Sequence, residues 1–91
     1  MIKKIHIVDD LSFASQRATE VEIELEDGTI RWCFFHTPES IKNCGDCIDG
    51  TTARVHYGVK HMFVVSEISE EIIESTIHML VERNELLACT L

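Results

Sequence analysis

Proline is almost absent from this chain, glycine is sparse, and basic residues are outnumbered two to one by acidic ones. Pro38 is the only proline and there are four glycines, so flexible linkers and low-complexity tracts are excluded. No apolar run approaches the length of a membrane span. Residues 1–8 carry two lysines and then only four residues before Asp9-Asp10, too short for the apolar stretch of a secretory signal. No basic run is longer than Lys3-Lys4. Eight Lys and Arg against sixteen Asp and Glu give a formal charge of -8. That field repels phosphate backbones and anionic leaflets, so nucleic acid and membrane surfaces are not expected partners. Without a targeting segment the expected compartment is the cytoplasm. Cys33, Cys44, Cys47 and Cys89 are then expected as reduced thiols.

What remains is ordinary globular material. Apolar residues make up 45% of the 91-residue chain and charged residues 26%, so wholesale disorder is not expected. The length fits one domain, residues 1–91, with a thin core. Additional burial by self-association would help such a core.

The clearest pattern is strict alternation over residues 19–26. Val21, Ile23 and Leu25 take one side, and Glu20, Glu22, Glu24 and Glu26 the other. Asp27-Gly28 reads as the two central residues of a tight hairpin turn, with residues 30–36 returning. This turn predicts the pairs Leu25–Ile30, Ile23–Trp32 and Val21–Phe34 on the inner face. On the outer face it predicts Glu24–Arg31, Glu22–Cys33 and Glu20–Phe35. Residues 2–8 read as a first strand and 9–17 as a connector. Thr37, Pro38 and Glu39 suit the N-cap and first turn of a short helix. Residues 51–57 and 61–67 read as a second hairpin that pairs Val55 with Val64 and Arg54 with Val65.

Ser69 is a natural N-cap, followed by Glu70, Glu71 and Glu74 in the early turns. Ile72, Ile73, Thr76, Ile77, Leu80 and Val81 form one apolar stripe of a long helix. Asn84 suits its end. Residues 85–91 read as a possible last strand. The predicted fold class is α+β: a mostly antiparallel sheet of about five strands with one long C-terminal helix on one face.

Chemistry-bearing motifs are few. Cys44 and Cys47 form a C-x-x-C pair, and Cys33 and His36 a C-x-x-H pair, together C-x2-H-x7-C-x2-C. These four residues name a possible zinc site, with His56 and His61 as alternative ligands. The same Cys44–Cys47 pair could serve thiol redox chemistry. However, no helix start follows it, and Asp46 between the thiols opposes a low pKa. No residue is singled out as catalytic: no serine sits in a nucleophile elbow and no glycine-rich loop leads from strand to helix. The predicted outer face carries Cys33, Phe35, Phe63 and Val65, an apolar patch suited to association of two copies. The reading that follows is a non-catalytic, homo-oligomeric interaction domain. A zinc-stabilised module and a thiol-redox protein are the alternatives.

Overall fold

The order of elements follows from local signals. In the computed structural model, which describes residues 2–55 and 60–91, the alternating run Thr19–Leu25 is a strand (β2) whose odd positions are buried and whose even positions are half exposed. It is flanked by β1 (Ile2–Ile7) and β3 (Ile30–His36), both antiparallel to it. Between β1 and β2 lies a 3-10 turn at Leu11–Phe13, capped by Asp10, whose carboxylate accepts from Ser12 N at 2.9 Å. Asp9 accepts from Glu20 N at 2.7 Å and ties this connector to β2.

The register of β2 and β3 differs by one residue from that expected of a two-residue turn. Val21 pairs with Cys33, Glu22 with Trp32, Ile23 with Arg31 and Glu24 with Ile30. The cause is the turn. Leu25 O accepts from Gly28 N at 3.0 Å, and Leu25 N donates to Thr29 O at 2.9 Å. The loop is therefore three residues long, a β-turn closed by Gly28 at φ +88. A two-residue hairpin turn of the expected type needs positive φ at Asp27 as well, and among the described non-glycine residues only Asn84 has it. Asp27 instead accepts from Thr29 N at 2.9 Å, and that backbone bond lowers its carboxyl pKa. A one-residue slip exchanges the two faces of a strand. Cys33 and Phe35, expected outside, are consequently 0% exposed in the core. Arg31 leaves the glutamate face, and Glu24 pairs with Lys3 at 3.3 Å instead.

The second expected hairpin is also replaced. β6 (Met62–Val64) runs parallel to β3, pairing Phe34 with Met62, Phe35 with Phe63 and His36 with Val64. The Val55–Val64 and Arg54–Val65 pairs do not form, because Arg54–Val55 (β5) pairs with Asp46–Cys47 (β4) in a separate two-stranded ribbon. The end of the first strand of that expected hairpin, including His56 as an alternative zinc ligand, lies outside the described residues. Sheet order is β1-β2-β3-β6, with β4-β5 apart. Neighbours in sequence usually pair, but here β3 offered a free edge with matching apolar residues, and β6 took it.

One turn of helix, α1 (Pro38–Ile41), follows β3 with the expected start. Thr37 and Ser40 form a reciprocal capping box, with Pro38 in the first turn. The long helix α2 (Glu70–Glu82) is capped by Ser69, whose hydroxyl accepts from Ile72 N at 3.2 Å. Its buried positions Ile73, Ile77 and Leu80 lie at helical spacing and join Val21, Ile23, Leu25, Cys33 and Phe35 in one core. Burying each such side chain fully contributes about 1.5–3 kcal/mol. Asn84 ends α2 at φ 55, with Glu85 N bonded to Leu80 O at 2.8 Å and Asn84 N to Val81 O at 3.1 Å. This is a left-handed cap that satisfies the last carbonyls.

Residues 85–91 form a second short helix, α3 (Leu86–Cys89), not a strand. The chain nevertheless reaches the sheet edge: Leu91 N donates to Trp32 O at 3.1 Å and Leu91 O accepts from Trp32 N at 2.6 Å. Arg31 holds α3 there. Its Nη2 donates to the carbonyls of Leu87 and Thr90, each at 2.5 Å, and its Nε to Thr90 Oγ1 at 3.1 Å. No helix among the described residues is long and apolar enough to cross a membrane.

Candidate functional site

The two faces of the sheet differ in what covers them. The inner face, with Ile5, Ile7, Val21, Ile23, Cys33 and Phe35, packs against α2 and α3. Among the described residues of the outer face only His36, at its end, is buried. Its composition follows from the register. Each carboxylate of β2 stands directly across from an apolar residue of β3: Glu20 from Phe34, Glu22 from Trp32 and Glu24 from Ile30. Met62 extends the Phe34 row through β6, and His6 and Lys4 extend the glutamate rows through β1. The face is thus divided lengthwise, acidic over β2 and apolar over β3 and β6.

The apolar half is built around rings. Trp32 and Phe34 meet edge to face at 5.4 Å, and the His61 imidazole lies 4.3 Å from Trp32 and 5.4 Å from Phe34. His61 Nδ1 is buried in this cluster without a hydrogen-bond partner among the described residues. Ile30 is 58% exposed and Val64 53%. Beside them a shallow depression of about 220 Å³ is lined by Lys4, His6, Glu22, Glu24 and Ile30.

The residues expected at the patch from sequence are distributed differently. Cys33 and Phe35 belong to the core, and Phe63 stacks on Phe35 from the same side at 5.4 Å between ring centres. Val65 is half-buried against that core. The apolar residues of the outer face are instead Ile30, Trp32, Phe34, Met62 and Val64. The signal that could have found them was the apolar character of both alternating sets in β3.

Of the proposed zinc ligands, Cys33 and His36 lie on opposite faces of β3 because side chains alternate along a strand. Cys33 points into the core, and burial pushes its thiol up from its ordinary 9.0 to about 12, against the thiolate that metal or redox chemistry needs. His36 is buried at the sheet's end, its Nδ1 2.9 Å from Ser40 Oγ. Cys44 is half-buried in the loop after α1, and Cys47 is exposed on β4. Arg54 donates to Gly45 O at 3.0 Å and closes this loop. Among the described residues no group of three or more His, Cys, Asp or Glu side chains is disposed to hold a metal ion. All four cysteines are free thiols.

Compared with known proteins, the chain matches no protein family, no characterised protein and no solved structure.

Proposed function

We propose that this chain is a non-catalytic interaction domain that works through the outer face of its sheet. The observation that carries the proposal is the aromatic half of that face. Ile30 and Val64 are exposed, and Trp32, Phe34 and Met62 half-buried, on the side opposite the helices. A contiguous apolar patch of this kind on a small domain marks a contact surface. Its composition, rich in Trp, Phe and Met with charge at the border, is that of interface centres. Self-association, favoured by the thin core, is one way to cover the patch.

Covalent footprinting of the full chain tests this without knowing what binds. Trp32 is the only tryptophan and Met62 one of three methionines, so both label distinctively. Labelling in living cells is compared with labelling of dilute purified protein. Protection of Trp32, Phe34 and Met62 in the cell is the expected result. Equal labelling of these side chains in both settings would refute the proposal.

A further inference from the structure

Resting on that reading, we infer that the occupant of the outer face is a cationic amphipathic helix of a protein partner, not a second copy of this chain. The dimensions favour a helix. Over residues 34–36, where the three-residue β6 pairs with β3, the two strands span about 10 Å across the sheet, which matches the 10–12 Å diameter of one helix. β3 has seven residues, roughly 23 Å of strand, the length of about 15 helical residues.

Charge selects the kind of helix. With its apolar stripe on Trp32, Phe34 and Met62, one flank of the helix overlies β2 and its carboxylates. Glu24 meets the exposed Lys3, but Glu20 and Glu22 have no ion-pair partner among the described residues. Alternate residues of a strand lie about 6.8 Å apart, close to the ~6 Å rise between positions i and i+4 of a helix. A flank with Lys or Arg at that spacing answers successive glutamates. The aliphatic stems then lie over the paired apolar side chains.

A second copy fits less well. Two sheets stacked about a two-fold axis across the strands place β2 on its partner's β2, carboxylates on carboxylates. An axis along β3 places β2 on the partner's β6, burying the same carboxylates against Met62 and Val64. An overlap limited to β3 and β6 spares them, but it joins two chains of charge -8. The outer face offers few cations to offset that, and like-charge juxtaposition opposes association.

Two synthetic amphipathic peptides of about 16 residues, sized to β3, test the inference on the full chain. One carries Lys beside a Leu stripe and the other Glu. A third has the Lys composition with the stripe scrambled. Trp32 fluorescence reads binding and sedimentation reads self-association. The Lys peptide is expected to bind in the micromolar range, weakening about tenfold with Glu20→Gln, Glu22→Gln and Glu24→Gln combined and again with Ile30→Ser. The Glu and scrambled peptides are expected not to bind. Equal binding of the scrambled peptide, or an unchanged affinity in the triple variant, overturns the inference. A dimer that shields Trp32 and ignores the Lys peptide overturns the occupant but leaves the interaction face standing. Loss of cellular protection in the footprinting experiment removes the face itself.

Discussion

Replacing Arg31 by Met keeps the aliphatic stem and removes the guanidinium, which isolates what the charge does. Arg31 reaches from β3 to the last turn of the chain, donating to Leu87 O, Thr90 O and Thr90 Oγ1. Thr90 is itself 0% exposed and its hydroxyl bonds Leu86 O at 2.6 Å. Hydrogen bonds from a charged group contribute about 1.5–3 kcal/mol each when buried. One of the three here is exposed and the set is not additive, so about 3 kcal/mol in total is a fair magnitude. The whole stability of a chain this size is about 5–14 kcal/mol, and each kcal/mol moves its melting temperature by about 4–8 °C. Arg31→Met should therefore melt about 12–24 °C below the parent. Arg31→Lys, which retains charge but not the fork, should fall between. The local readout is the Trp32 amide, bonded to Leu91 O. It should lose hydrogen-exchange protection in Arg31→Met before the rest of the sheet does. A melting temperature within about 3 °C of the parent, with Trp32 still protected, refutes the view that Arg31 secures α3.

Two other substitutions test separate parts of the fold. Gly28 holds φ +88 and a Cβ there meets nothing within 4 Å, so Gly28→Ala should cost about 1–2 kcal/mol through backbone strain alone. Urea titration measures it, and Gly28→Asn should lose less. For Cys33, the folded thiol titrates near 12 against an ordinary 9.0. The unfolded chain therefore releases this proton first, and stability falls as pH rises through the interval between the two values. Urea midpoints measured below and within that interval should show a steeper loss for the parent than for Cys33→Ala. Equal slopes would mean that the buried thiol contributes nothing.

Local signals were legible in the sequence because their physics is local. Ser69, the Thr37-Pro38-Glu39 start and Asn84 act through backbone groups within a few residues, and each sits where its chemistry demands. The stripe of α2 and the buried side of β2 followed from periodicity for the same reason. The register of β3 did not. Asp27-Gly28 serves both a two-residue and a three-residue turn, and hydrophobic patterning could not decide between them. Ile30, Trp32 and Phe34 on one side are as apolar as Cys33 and Phe35 on the other. The parallel pairing of β6 was hidden because it depends on the free edge of β3, far away in sequence. The candidate site inherited both effects. Which apolar residues of β3 would lie on the outer face was not foreseeable, because that depends on the register.

The grip of Arg31 on α3 bears on how the chain finds its fold. Because β3 is apolar on both sides, a version of the sheet slipped by one residue would still collapse, with Trp32 and Phe34 inside. Such a state would be compact and slow to escape, a kinetic trap of the kind that degenerate packings create. The slip would also carry Arg31 to the other side of the sheet, where Leu87 and Thr90 are out of reach. The chain terminus would then have nothing to dock on, and Leu91 would not close the edge at Trp32. Docking of residues 86–91 through Arg31 and Trp32 therefore adds its stability to the native register alone.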